Sequence, residues 1–192
     1  KDAASFWKAI QEGRNGISAI TKFDCSNIET KVASEVTGFD PTAYIEKKEA
    51  KRMDPFVQYA MAAAHMAISE AGIDAEKEDP FRVGVLIGSG IGGIQTLEEQ
   101  KRTLMEKGPG RISPFFIPMM IANMASGQVA IRYGFSGYNE CVTTACATSN
   151  HAIGDAFHVI RSGLADVMVS GGAEATITEL AMAGFCSAKA MT

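Results

Sequence analysis

The stretch from Asn139 to Gly172, NECVTTACATSNHAIGDAFHVIRSGLADVMVSGG, constrains the fold more than any other part of the chain. It predicts a short strand, a corner of small residues, an amphipathic helix and a second buried strand. Residues 141–144 (Cys-Val-Thr-Thr) are β-formers, and Ala145-Cys146-Ala147 has no bulk to obstruct a sharp turn. Beyond the corner, Ile153, Ala156, Phe157 and Ile160 recur at the i, i+3, i+4, i+7 spacing of a helix with one apolar face. Ser162-Gly163 stops that helix, and Val167-Met168-Val169 reads as a strand running into Gly171-Gly172.

Cys146 therefore falls where a strand gives way to a helix. The N–H groups of a first helical turn lack intrahelical partners and carry positive partial charge. A thiol in such a place ionises more readily, and the thiolate is the nucleophilic form. Free cysteine is also among the most buried residue types. Composition and spacing leave both roles open, nucleophile and packing residue.

The segment TTACATS, followed by HAIGDAFHVIRSGLADVMVSGGAE, resembles the active-site region of the β-ketoacyl-acyl carrier protein synthases, in particular the synthase II type. The likeness extends over essentially the whole chain. It implies half of a thiolase-like α/β fold, a mixed and mostly parallel sheet with helices on both faces. It also implies an acyltransferase of fatty acid elongation that works by decarboxylative Claisen condensation. In that family the cysteine of the ACxxS stretch carries the acyl chain as a thioester, a role that falls on Cys146. The family is dimeric, takes acyl and malonyl thioesters from acyl carrier protein, and needs no cofactor or metal.

Composition agrees with one soluble core. The 192 residues are 46% hydrophobic, enough for a sizeable interior, and the net charge of −4 gives no general pull toward nucleic acid or anionic membrane. No apolar run approaches the length of a membrane span, and no export signal is visible. Cysteines 25, 141, 146 and 186 are widely spaced without a CxxC pair, which argues against zinc and disulfides and fits a reducing cytoplasm. Both ends look cut: a helix over Asp2–Gly13, with Phe6, Trp7 and Ile10 on one face, opens the chain where the family has a preceding strand. We expect residues 1–192 to be a partial N-terminal ketosynthase domain.

Between Gly13 and Thr37 the sequence predicts loops with short strands. A long helix comes next, from Met53 to Ala71, with Met53, Phe56, Ala60, Ala64 and Ile68 as its buried stripe. Just before it, Lys47, Lys48, Lys51 and Arg52 form a basic cluster in an acidic chain. Most charge runs are solvated helix surface. By resemblance, Lys48, Lys51 and Arg52 fall on the family's docking positions for the acidic carrier protein.

Phe81–Ile87 predicts a buried strand, leading into Gly88-Ser89-Gly90-Ile91-Gly92-Gly93. The glycines satisfy GxGxxG, the dinucleotide fingerprint. The next segment is a polar helix rather than a second strand ending in an acid, so the match fails on context. By resemblance this turn borders the acyl pocket and Ile91 gates its depth. SPFFIP and a methionine-rich helix through Met119, Met120, Met124 and Ala125 come next. In the family the second phenylalanine of SPFF reaches the partner's pocket, which assigns Phe116 that role. Tyr138 replaces a proline usual before the active-site strand, and Phe185 matches a wall residue of the acyl pocket.

His65, His151 and His158 are the three histidines. At 100° per residue, His151 and His158 lie about 140° and 120° around the helix from Cys146, so neither points at the sulfur. His65 reads as a structural residue of another helix. The family's two catalytic histidines lie downstream, so this chain alone has no general base and is expected to be inactive. A polyketide ketosynthase is the near alternative. A non-catalytic chain-length subunit is disfavoured by Cys146, and a redox protein by the lack of a resolving cysteine.

Overall fold

The structure, a computed structural model, describes residues 2–191. Its elements run in the order α1 (Ala3–Gln11), β1 (Ser18–Ala19), β2 (Val32–Ala33), α2 (Lys47–Ala50), α3 (Pro55–Glu70), β3 (Val83–Gly88), α4 (Ile94–Lys107) and α5 (Phe116–Met120). They continue through α6 (Met124–Tyr133), β4 (Asn139–Glu140), α7 (Thr148–Arg161), β5 (Val167–Gly172) and α8 (Glu179–Ser187). The chain forms two compact units. One takes the described residues up to Phe39 and from Ile177 onward, and the other spans Asp40–Thr176.

In the first unit, Asp2 caps α1 in a reciprocal box with Ser5. Phe6, Trp7 and Ile10 all lie exposed on this helix. Strands β1 and β2 pair antiparallel, with Ser18 opposite Ala33. Ile20, Ile28 and Ala33 pack with Met182 and Cys186 of α8 into a small core.

The second unit is built on β3, whose six residues are all buried. It sits centrally in a parallel sheet of order β4-β3-β5. Parallel neighbours need helical crossovers, which cover both faces and leave the middle strand apolar throughout. Val83, Val85 and Ile87 face α3 and α6 and join a core with Phe56, Ala60, Ala64, Ala125 and Val129. The intervening residues face α7. A side-chain carbon on Gly88 would strike the Thr148 methyl and the Val142 carbonyl, so glycine is what lets this helix approach.

The predicted stripe of α3 is buried as expected, although the helix begins at Pro55. On α7 the outcome differs. Ile153, Phe157 and Ile160 are 55%, 60% and 43% exposed, and of the predicted stripe only Ala156 is buried. The face toward the sheet is Thr148, Ala152, Ala156 and Val159. Small residues win that face because the helix lies close against strands that end in glycine. The strand predicted from Phe81 starts at Val83, leaving Phe81 exposed. The predicted methionine-rich helix is divided between α5 and α6, with Phe116 as the first residue of α5.

Asp54 joins two of these elements from inside. Its carboxylate is completely buried; Oδ1 accepts from the Phe56 N–H at the start of α3. Its Oδ2 accepts from the Thr96 N–H at 2.9 Å and the Thr96 hydroxyl at 2.8 Å, in the first turn of α4. Burial pushes this carboxyl above its ordinary value, against the pull of those hydrogen bonds. A raised acid favours the folded state while protonated. Its contribution therefore falls as pH rises from the ordinary carboxylate range through the higher folded value. Asp54→Ala should cost about 2–4 kcal/mol, since it orphans buried Thr96 donors. Asp54→Asn should remove the falling limb, so the stability difference from wild type shifts in favour of the variant as pH rises. Urea denaturation from pH 4 to 8 measures both, and parallel pH curves would contradict the assignment.

Candidate active site

The site begins with a serine placed inside a β-ladder. The Val85 N–H donates to the Tyr138 carbonyl at 2.8 Å, the ladder bond that precedes Asn139. The next bond of the parallel pattern would run from Ile87 to Glu140. Instead the Ile87 N–H donates to Ser126 Oγ at 2.7 Å, and that hydroxyl donates to the Glu140 carbonyl at 2.6 Å. Ser126 comes from α6 and is fully buried. The inserted hydroxyl ends β4 at Glu140, so the strand expected over 141–144 does not form despite its β-formers. Tyr138, where the family pattern has proline, takes part in the ladder through its carbonyl.

Released from the ladder, the chain turns sharply. Thr144 N–H donates to Thr148 Oγ1 at 2.9 Å, and Ala145 adopts φ 51°, a left-handed conformation that costs an L-residue about 1 kcal/mol or more. A short 3-10 turn over Ala145–Ala147 carries Cys146 directly into α7. Of the four cysteines, Cys146 is the exposed one; Cys186 is buried and Cys25 and Cys141 are half-buried. Geometry thus presents the sulfur at a strained corner ahead of a 14-residue helix.

The turn at 88–93 lies beside this corner. A side-chain carbon at Gly90 would come within 3.6 Å of the Ala145 Cα, and one at Gly92 would reach the Met120 carbonyl at 2.7 Å. Gly92 has φ +76°, and the Gly93 N–H donates to the Met120 carbonyl at 2.9 Å. The turn therefore bridges the Cys146 corner and α5, the helix that Phe116 opens. Ile91 sits on it and is 45% exposed, and Phe116 is half-buried.

The amides a dinucleotide phosphate would use here are already occupied. Glu174 Oε2 accepts from the N–H groups of Gly90 at 2.8 Å and Ile91 at 3.2 Å, while Asp54 holds that of Thr96. Two carboxylates at this helix start disfavour a further anion. The GxGxxG spacing here is a packing motif. Nothing in the sequence singles out Glu174 or Ser126. Ser126 carries no local signal, whereas Asp54-Pro55 is a legible cap-and-start pair.

Lys48 and Lys51 are exposed on and just after α2, as is Arg52. The Arg52 guanidinium lies 4.4 Å from the centre of the Phe115 ring. A cleft of about 510 Å³ continues from there along Glu49, Met53, Ile131 and Arg132. The basic cluster and the SPFF segment, far apart in sequence, are thus neighbours. Phe185 lies on α8 in the other unit and is 41% exposed.

Cys146 lies on the 3-10 turn ahead of α7, so an angle counted around one regular helix does not describe its relation to His151 and His158. His151 Nδ1 is 2.8 Å from Thr144 Oγ1. His65 Nδ1 is 3.1 Å from the Tyr133 hydroxyl, and the ring meets Tyr44 edge-on. His158 packs edge-on against Phe157. Among the described residues no group of three or more His, Cys, Asp or Glu is placed to hold a metal, and no helix is long and apolar enough to cross a membrane.

Comparison with known proteins agrees with this geometry. The family model described as the N-terminal domain of beta-ketoacyl synthase matches residues 1–192. A 3-oxoacyl-[acyl-carrier-protein] synthase 2 from Synechocystis sp. is 50% identical over 187 residues, covering 97% of this chain and 45% of that protein. The chain spans about half the length of the curated relatives it matches. Among solved structures, the ishigamide ketosynthase/chain length factor superposes with TM-score 0.87 at 29% identity, over 100% of this chain and 48% of that one. A type II PKS acyl-carrier protein in complex with its ketosynthase bound to the hexaketide gives TM-score 0.75 at 29% identity, over 79% and 43%. The fold is thiolase-like, and the chain belongs to the β-ketoacyl synthase family.

Proposed function

We propose that the full-length protein is a β-ketoacyl-acyl carrier protein synthase, an acyltransferase that elongates fatty acyl chains. The observation that carries this reading is the exposed Cys146 at the left-handed Ala145 corner, against the glycine turn. In the first half-reaction the Cys146 thiolate attacks the carbonyl of an acyl-carrier thioester. A new C–S bond forms, and the carrier's thiolate leaves. Next, malonyl-carrier protein loses carbon dioxide, and its carbanion attacks the Cys146 thioester to release the cysteine. Proton handling in that step falls, by resemblance to the family, to two histidines in the part of the relatives that this chain does not span.

Ile91 and Phe116 shape the acyl pocket in this reading, and the working form is a homodimer in which Phe116 approaches the partner's pocket. Support for these two comes from the glycine turn, which touches both the nucleophile corner and α5. Fifty per cent identity to a synthase 2, against 29% to the ketosynthase of a type II PKS, favours the fatty acid reaction over polyketide assembly.

Lys48, Lys51 and Arg52 form the carrier-docking face. Coulomb attraction to an acidic carrier raises encounter rate, screened beyond a Debye length of about 8 Å at physiological salt.

Iodoacetamide should label Cys146 ahead of Cys25, Cys141 and Cys186 in the folded protein, read by peptide mapping; equal labelling removes the nucleophile assignment. The full-length Cys146→Ser enzyme should lose condensation by at least about a thousandfold, because a neutral hydroxyl without a base accepts acyl groups poorly. Reversing Lys48 and Lys51 to Glu should raise KM for acyl-carrier substrates several-fold at low salt, leaving a minimal thioester unaffected. Equal losses for both substrates would point to a folding defect, and no loss would return these lysines to solvent.

A further inference from the structure

Glu174 lies just past β5 and is not one of the residues to which the proposed reaction assigns a role, yet its carboxylate organises the turn that carries Ile91. Oε2 accepts from both the Gly90 and Ile91 N–H groups. Oε1 accepts from the Ser89 hydroxyl at 3.1 Å, and Ser89 Oγ in turn accepts from the Gly92 N–H at 3.0 Å. Three consecutive amides, Gly90, Ile91 and Gly92, are thereby tied directly or through one relay to a single side chain. Ser89 is buried. The carboxylate reaches across 83 residues of sequence to do this, so the contact is tertiary and not a local turn habit.

The glycines make such a tether necessary. Ser89 to Gly93 has one bulky side chain and little backbone preference of its own, so its conformation must be imposed. A side-chain carbon on Gly90 would come within 2.8 Å of Glu174 Oε2 while lying 3.6 Å from the Ala145 Cα. Displacing the carboxylate and shifting the turn against the Cys146 corner are thus coupled movements.

We propose that Glu174 is a positioning residue that sets acyl-chain-length specificity by holding Ile91 at its place beside the nucleophile. This rests on the reading of Ile91 as the depth gate. With the carboxylate present, the branched side chain stands at a fixed depth. Without it, the turn gains freedom and the pocket no longer stops at one length.

The test uses the full-length enzyme with octanoyl and palmitoyl carrier-protein substrates. Glu174→Ala should raise the palmitoyl-to-octanoyl ratio of kcat/KM about fivefold, the size of one net hydrogen bond. Hydrogen exchange in peptides covering 88–94 should accelerate in parallel. Glu174→Gln keeps an oxygen for Gly90 and Ile91 and can donate to Ser89 Oγ, so it should recover most of the wild-type ratio. Ile91→Ala should move the ratio the same way, and adding Glu174→Ala to it should change little more.

Additive effects in the double variant would place Glu174's action elsewhere and overturn the proposal. So would an unchanged ratio in Glu174→Ala where Ile91→Ala shifts it. If Ile91→Ala leaves the ratio alone while exchange at 88–94 still accelerates, the gate reading itself fails and the specificity role falls with it. Should Glu174→Ala not fold, Ser89→Ala removes only the relay to Gly92 and is judged by the same two measurements.

Discussion

One hydroxyl, that of Ser126, decides where the pairing of β4 with β3 stops. A parallel ladder otherwise continues as long as two extended chains lie side by side. By accepting from Ile87 and donating to Glu140, Ser126 satisfies both backbone groups while holding the strands apart. No polar group is stranded, so the interruption costs little. The early exit sets everything downstream: the irregular run over 141–144, the left-handed Ala145 and the exposed sulfur at the head of α7.

Two carboxylates secure the opposite side of the site. Asp54 binds the starts of α3 and α4 together, and Glu174 binds the turn between β3 and α4 to the end of β5. Each uses the free N–H groups that helix starts and glycine turns leave over. Their difference in burial matters. Asp54 has no water to fall back on and its carboxyl titrates high, whereas Glu174 is an exposed residue whose fixed place comes from its hydrogen bonds. Both anchors lie on a continuous path from the basic α2 region to the Ile91 turn.

Packing around α7 shows how backbone approach overrides side-chain size. Gly88 and Gly172 bring the sheet so near that Thr148 and Ser149 touch where larger residues could not fit. The helix consequently buries alanines and leaves Ile153, Phe157 and Ile160 outward. Hydrophobic burial is non-directional, whereas close packing is not.

Part of the element order was legible in the residues themselves. The stripe from Met53 to Ile68, the continuous apolar run of β3 and the strand-corner-helix-strand frame around Cys146 all state their periods locally, and local periodicity reflects which side must meet a core. The motif around Cys146 likewise pointed to the family. What the sequence did not disclose were contacts between distant residues. The β-formers at 141–144 predict a strand, but a serine on the preceding helix ends it. The large residues of α7 predict the buried face, but glycines on two strands choose the small ones. Nothing in Gly171-Gly172-Ala173-Glu174 says that this carboxylate will hold the turn of Ile91. Local propensity depends on neighbours in the chain and was readable from sequence alone. The fate of a hydrogen-bonding group depends on neighbours in space, which only the folded arrangement of β3, α6 and α7 decided.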